Sequence, residues 1–166
     1  MSFSIRSFNP RDLVRLLEIT TATFEEVSID RNMEITLGSF GEGGWSTRKI
    51  AAVTEDCRIQ PDGVFVAIDS TSGEVIGYIT TRLNDVSRIG WIPNLAVDPD
   101  HQASGVGTEL LYHAIAFLKD QGMEIAKIET LEQNSIGQKL YPRFGFQPVA
   151  KQIHYAMRLT KQEEPR

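Results

Sequence analysis

The segment Leu95-Ala96-Val97-Asp98-Pro99-Asp100-His101-Gln102-Ala103-Ser104-Gly105-Val106-Gly107-Thr108-Glu109-Leu110-Leu111 constrains this chain most, because an apolar strand passes through a glycine-bearing turn into a helix. The first turn of such a helix carries unpaired N–H groups and a partial positive charge, and the glycines let phosphate oxygens approach where a Cβ would collide. The pattern reads as a pyrophosphate cradle and points to a phosphorylated cofactor. Two familiar phosphate loops fit it poorly. No Gly-Lys-Ser/Thr follows, so the lysine and the Mg²⁺-binding hydroxyl of a P-loop are missing. A dinucleotide fingerprint needs three spaced glycines and an acidic residue closing the next strand. Here only Gly105 and Gly107 are present, although the following strand does end near Glu129. What remains is Gln-x-x-Gly-x-Gly, carried by Gln102, Gly105 and Gly107.

Downstream, Asn134-Ser135-Ile136-Gly137-Gln138-Lys139-Leu140-Tyr141-Pro142-Arg143-Phe144-Gly145-Phe146 adds a second motif of Asn134, Tyr141 and Gly145-Phe146. With both motifs in this order and separation, Ile92 to Phe146 resembles the GNAT superfamily of acyl-CoA-dependent N-acetyltransferases. The rest of the chain agrees only in its order of elements. The resemblance implies a mixed α/β sheet of six to seven strands flanked by about four helices. It also implies acetyl-CoA as cosubstrate and no metal. Its parallel strands Ile89–Val97 and Ala126–Thr130 would splay apart and admit the pantetheine arm. Backbone groups of Leu95 and Val97 would bind the pantetheine amides, and an N–H near Leu95 or Ala96 would polarise the thioester carbonyl. Gln102, Ala103, Ser104 and Gly105 would form the phosphate turn, with Val106, Gly107 and Thr108 opening its helix. Ser104 stands where glycine or a basic residue is often found. Gln102 is equally suited to supporting the turn. Asn134 would cap its helix, contact the pantetheine arm, or do both.

Length and composition set the frame. One domain over 1–160 with a polar tail at 161–166 accommodates 166 residues, and no apolar run approaches the roughly 18 residues of a membrane span. The N-terminus shows no signal-peptide core, so a cytoplasmic protein is the expectation. Cys57 stands alone, which excludes an internal disulfide and leaves no cluster for zinc. The net charge of −5 disfavours nucleic acid and anionic membranes as partners. A small-molecule or peptide amine, including a cationic one, suits it better, and a homodimer is compatible with the resemblance.

The pattern predicts a first strand at Phe3 and Ile5, then a helix from the Asn9 cap and Pro10 to about Thr23. Residues 25–44 show no period and read as partly helical. A helix from the Ser46 cap carries Ile50, Val53 and Cys57 inward. Val64–Ile68 and Val75–Thr80 form a hairpin, and Ile89–Val97 leads into the glycine turn. The helix Gly107–Gln121 is followed by a strand at Ala126–Thr130 and a helix from about Asn134 to Phe144. Two more strands are expected between Phe146 and Leu159. Pro93 marks either the bulge at which the two parallel strands part or an edge position.

The resemblance makes Tyr141 the residue that meets the CoA sulfur, with half-buried packing as its other reading. A phenol with pKa near 10 cannot fully protonate a thiolate near 8.5 without a cost of roughly 2 kcal/mol, so a hydrogen-bond donor is expected rather than a strong acid. The base is less defined. The early-strand glutamate used by many relatives is absent from Arg88-Ile89-Gly90-Trp91-Ile92. Glu129 is the first candidate, with Asp85, Glu132, His154 or a water chain as alternatives. His101 and His113 fit solvated or packed roles. Between residues 25 and 44, Glu25, Glu26, Asp30, Glu34 and Glu42 face only Arg31, which makes either an acidic mouth for a cationic amine or a solvated loop. Trp45 either walls that pocket or anchors the loop. Two rivals remain open: a non-catalytic acyl-CoA sensor, and an adenine-nucleotide or dinucleotide enzyme using the same turn.

Overall fold

β1 (Phe3–Ser7) lies antiparallel to β2 (Phe65–Asp69), which turns at Asp69 into β3 (Val75–Asn84). β3 pairs antiparallel with β4 (Ile89–Val97), and β5 (Ile125–Ile128) joins β4 in parallel. These relationships come from a computed structural model that describes residues 2–159. The sheet therefore has five strands in the order β1-β2-β3-β4-β5 among the described residues.

Among the described residues five α-helices accompany it: α1 (Leu13–Thr23), α2 (Ile29–Leu37), α3 (Gly44–Ile59), α4 (Val106–Asp120) and α5 (Ser135–Leu140). α1 and α3 cover one face, where Leu16, Ile19 and Val53 bury against Val66, Tyr78 and Ala96. α4 covers the other. Its Leu110, Leu111, Ala114 and Leu118 recur at helical spacing and pack on Ile76, Ile79 and Ile92. Gly122 ends this helix region at φ +73, a conformation glycine adopts without the Cβ clash of other residues.

The α4 layer sits close to β4. A Cβ on Gly90 would lie 2.4 Å from Leu118 Cδ2 and 3.0 Å from its Cγ. Gly90→Ala is therefore expected to overpack this layer and destabilise the protein by about 1–3 kcal/mol, seen as a lower urea midpoint. An unchanged midpoint would mean that helix and strand are free to separate.

The feature that positions the site is a bulge. Thr80 faces Asn94 across the β3–β4 ladder, but Arg82 faces Trp91, so β4 carries one extra residue at Ile92–Pro93. Side-chain direction switches there: Ile92 and Leu95 both pack on the α4 side, whereas Trp91 and Asn94 both meet groups on the α3 side. Pairing with β5 also stops there, at Ile92 opposite Ile128. Of the two readings of Pro93, the bulge is the one observed.

Two expectations need correction. The sheet has five strands and the described residues hold five α-helices, rather than six to seven strands and about four helices. The extra helix is α2, inside the segment read as partly helical; Ser28 caps it by accepting from Asp30 N–H. The missing strands are those expected from Phe146 to Leu159, where the backbone forms no strand. Val149, Tyr155 and Leu159 there face solvent. β5 offers a poor template, being four residues long and carrying Lys127, which pairs with Glu129 just past the strand. The segment is tied elsewhere, with Arg158 donating to the carbonyls of Leu37 and Ser39 at 2.6 Å each. The polar tail predicted at 161–166 lies outside the described residues.

Candidate active site at the strand separation

Past Pro93, the β4 edge turned away from β3 has no strand beside it among the described residues. Asp98 N–H donates to Ile76 O at 2.9 Å, so residues 94, 96 and 98 direct their backbone groups at β3. By the alternation of an antiparallel ladder, the backbone groups of Leu95 and Val97 point into the gap left by β5, while those of Ala96 point away from it. Leu95 and Val97 also pack their side chains against the α4 core, so each residue serves both purposes. Val97 O is already engaged, accepting from Gln102 Nε2 at 3.2 Å. Gln102 thus braces the turn.

That turn ends in an open helix terminus. Asp98 accepts from Asp100 N–H at 3.0 Å, and the Ser104 hydroxyl donates to His101 O. Ala103 (φ +57) and Gly105 (φ +90) are both left-handed, and a Cβ on Gly105 would meet nothing within 4 Å. The first backbone bond of α4 runs from Glu109 N–H to Gly105 O at 3.1 Å, and no side chain caps the helix. The N–H groups of Val106, Gly107 and Thr108 therefore have no partner among the described residues, which is the arrangement an anion fills. Arg15 of α1 holds the turn from behind by pairing with Asp98 and donating to Val75 O at 3.2 Å. Burial would raise the Asp98 pKa, but Asp100 N–H, His101 and Arg15 outweigh it and hold the carboxyl below its ordinary value.

On the opposite wall, Asn134 caps α5 by accepting from Gly137 N–H at 3.0 Å. Tyr141 follows α5 in a short 3-10 turn, packed edge-on to Phe146 with ring centroids 6.1 Å apart. Its hydroxyl makes no hydrogen bond among the described residues, and burial pushes its pKa up to about 12.

The candidate bases are dispersed. Glu129 follows directly on β5, where β5 loses contact with β4, and is half exposed and bridged to Lys127 at 2.7 Å. Glu132 pairs with Lys151 on the surface, Asp85 lies in the β3–β4 turn, and His154 is exposed on the C-terminal segment. His113 Nδ1 meets Glu109 O at 3.0 Å on α4. Burial raises the Cys57 thiol to about 11, which suits packing. The acidic segment is partly neutralised from within: Arg48 pairs with Glu34 at 2.8 Å and with Asp30 at 3.3 Å.

Sequence reasoning missed a polar cluster on the α3 side of β4. Asn94 is 3% exposed; its Nδ2 donates to Asp56 Oδ2 at 2.6 Å and to Thr80 Oγ1 at 2.8 Å. Its Oδ1 accepts from Lys49 Nζ at 2.7 Å. Arg82 pairs with the other Asp56 oxygen at 2.5 Å, and Lys49 lies 4.2 Å from the Phe24 ring centre. These residues come from α3, β3 and β4, with Phe24 at the end of α1, and share no local period. The isolated Asn94 between Pro93 and Leu95 in an otherwise apolar strand was the available signal. Beyond the bulge, Arg82, Trp91 and Lys127 line an open groove of about 320 Å³. It lies away from the helix terminus and does not contain the cradle.

No helix of the described residues is long and apolar enough to cross a membrane, and no metal-binding cluster occurs among them. The chain is 29% identical over 159 residues to a mycothiol acetyltransferase of Stackebrandtia nassauensis, covering 94% of this chain and 48% of that protein. It is 31% identical over 102 residues to one from Thermobifida fusca, covering 57% of this chain and 32% of that protein. The chain thus spans about half the length, or less, of these curated relatives. Its fold matches a PaiA N-acetyltransferase of Thermoplasma acidophilum solved with coenzyme A, at TM-score 0.72 and 19% identity, covering 92% of this chain and 94% of that one. It also matches the ribosomal-protein-S18-alanine N-acetyltransferase of Escherichia coli at TM-score 0.63 and 22% identity, covering 90% and 80%. The acetyltransferase (GNAT) family model matches residues 21–146, which spans both the glycine turn and the tyrosine wall. The chain belongs to the acetyltransferase (GNAT) family.

Proposed function

We propose that this protein transfers the acetyl group of acetyl-CoA to a primary amine by direct attack, with no covalent enzyme intermediate. The observation that carries the reading is the parting of β4 and β5 at Pro93, which leaves the backbone of Leu95 and Val97 facing a gap that leads to the uncapped end of α4. In this reading the pyrophosphate binds the N–H groups of Val106, Gly107 and Thr108, and the turn Gln102–Gly105 shapes the approach. The pantetheine amides take the place of a strand beside Leu95 and Val97. Because Ala96 directs its amide toward β3, the Leu95 N–H is the donor for the thioester oxygen. Attack by the amine places negative charge on that oxygen, and one such preorganised donor is typically worth about 3 to 4 kcal/mol.

α4 and the tyrosine wall occupy one face at the gap, so the amine enters from the α1–α3 face. It must arrive deprotonated, since a lysine-like amine with pKa about 10.4 is almost wholly protonated at neutral pH. Glu129, at the mouth of the gap, takes this proton directly or through water. Asn134 both caps α5 and meets the pantetheine arm. Tyr141 donates a hydrogen bond to the sulfur as the C–S bond breaks, and the proton that the attacking nitrogen loses on forming the amide passes through water to the departing thiolate. The name of the relatives, mycothiol acetyltransferase, is compatible with this reading and does not define the acceptor of this chain.

Amine-dependent release of CoA thiol, followed with a thiol reagent across a panel of amines, tests the reading. Release that depends on both protein and amine is expected. Tight acetyl-CoA binding with no transfer to any amine would favour an acyl-CoA sensor instead, a reading that the exposed, ion-paired state of Glu129 supports.

A further inference from the structure

Lys49 is an unusual residue to find behind an amine-binding gap. Its Nζ lies on the α1–α3 face, bonded to Asn94 Oδ1 at 2.7 Å and 4.2 Å from the Phe24 ring centre. An ammonium has three protons to donate. Here one goes to a neutral amide oxygen, and the charge meets an aromatic face. No carboxylate lies within ion-pair distance of Lys49 among the described residues. Both neighbouring candidates are engaged: Asp56 gives one oxygen to Arg82 and the other to Asn94, and Asp30 pairs with Arg48. Burial pulls the Lys49 pKa down, opposed by the charges of Asp56 and Asp30. A mostly buried cation that is solvated but not neutralised has capacity for one more partner, and an anion would repay its lost hydration.

The location gives that capacity a role. Asn94 immediately precedes Leu95, the proposed oxyanion donor, and its side chain hands Lys49 to the face from which the acceptor enters. We infer that Lys49 is the anchor for a carboxylate carried by the acceptor, so that the preferred acceptor is an amino-acid-like zwitterion with its amine a few bonds from its acid group. This rests on the acetyltransferase reading above. The amine end points toward the gap and the acid end toward Lys49, while Asn94 and Phe24 hold the ammonium in place. Lys49 acts on specificity and takes no proton in the reaction.

The test uses the CoA-bound protein, so that it reads binding independently of turnover. N-acetylglycine, N-acetyl-β-alanine and N-acetyl-γ-aminobutyrate are each titrated by calorimetry against the corresponding primary amide. At least one acid is expected to bind about tenfold to a hundredfold more tightly than its amide, the range of a charge-assisted hydrogen bond. Lys49→Met should abolish the difference while leaving CoA affinity unchanged, and Lys49→Arg should keep part of it. Thermal melts confirm that both variants are folded. Equal binding of acids and amides, binding of neither, or a preference that survives Lys49→Met would overturn the anchor. Failure of the protein to bind CoA at all would overturn the acetyltransferase reading, whereas amine turnover without acid preference would overturn the anchor alone.

Discussion

Gly105→Glu is expected to weaken acetyl-CoA binding by at least a hundredfold without unfolding the protein. The residue before α4 has φ +90, and a Cβ there meets nothing within 4 Å, so the new side chain does not collide with the protein itself. It enters the space in front of the free N–H groups of Val106, Gly107 and Thr108 and brings a negative charge to where the phosphates bind. Two lost charge-assisted hydrogen bonds, at about 1.5–3 kcal/mol each, already exceed a hundredfold. Gly105→Ala separates the causes. Its left-handed backbone costs about 1–3 kcal/mol of stability, yet a methyl group leaves most of the space open. The melt of Gly105→Ala should therefore fall while its acetyl-CoA affinity changes less than that of Gly105→Glu. Normal affinity in Gly105→Glu would place the phosphates elsewhere.

Tyr141→Phe should reduce kcat by about a hundredfold while the acetyl-CoA dissociation constant changes little. The phenol is pushed up to about 12 by burial, so complete transfer of its proton to a thiolate near 8.5 would cost about 5 kcal/mol. It therefore works as a neutral donor whose hydrogen bond strengthens as charge builds on sulfur. Raising the pH from 7 to 10 should not switch it off, because it remains protonated. Equal losses in binding and turnover would instead assign the ring to packing, consistent with its contact with Phe146.

The parts of this site legible in the sequence are those written in a few consecutive residues. The glycine turn, the helix behind it and the pairing of Tyr141 with Gly145-Phe146 depend on local backbone geometry, which short motifs record. Pro93 signalled an interrupted ladder, because it lacks an N–H, but bulge and edge position were equally open and only the β3–β4 register decides for the bulge. α2 does carry a helical spacing in Ile29, Met33 and Leu37, but it is only nine residues long and buries none of them fully, so the glycine-rich segment around it masked the pattern. The C-terminal alternation from Val149 to Leu159 does read as strands. Whether such a segment pairs depends on the edge it must join, and the short, charged end of β5 is invisible within the segment itself. The Lys49–Asn94–Asp56 cluster was hidden for a different reason: α3 and β4 meet only through the tertiary fold. The acidic segment was readable as composition, but Arg48, which neutralises Asp30 and Glu34, lies beyond it on α3.

The central claim is that the uncapped α4 terminus and the β4–β5 gap together bind acetyl-CoA. The most direct measurement is the thermal melt of the protein with acetyl-CoA, CoA, NAD and ATP in parallel. Ligand at about 100 times its Kd adds roughly 2.7 kcal/mol of stability and raises Tm by several degrees. The account predicts such a shift with acetyl-CoA and CoA and not with NAD or ATP. No shift with either thioester or thiol, or a shift with NAD or ATP alone, would contradict it.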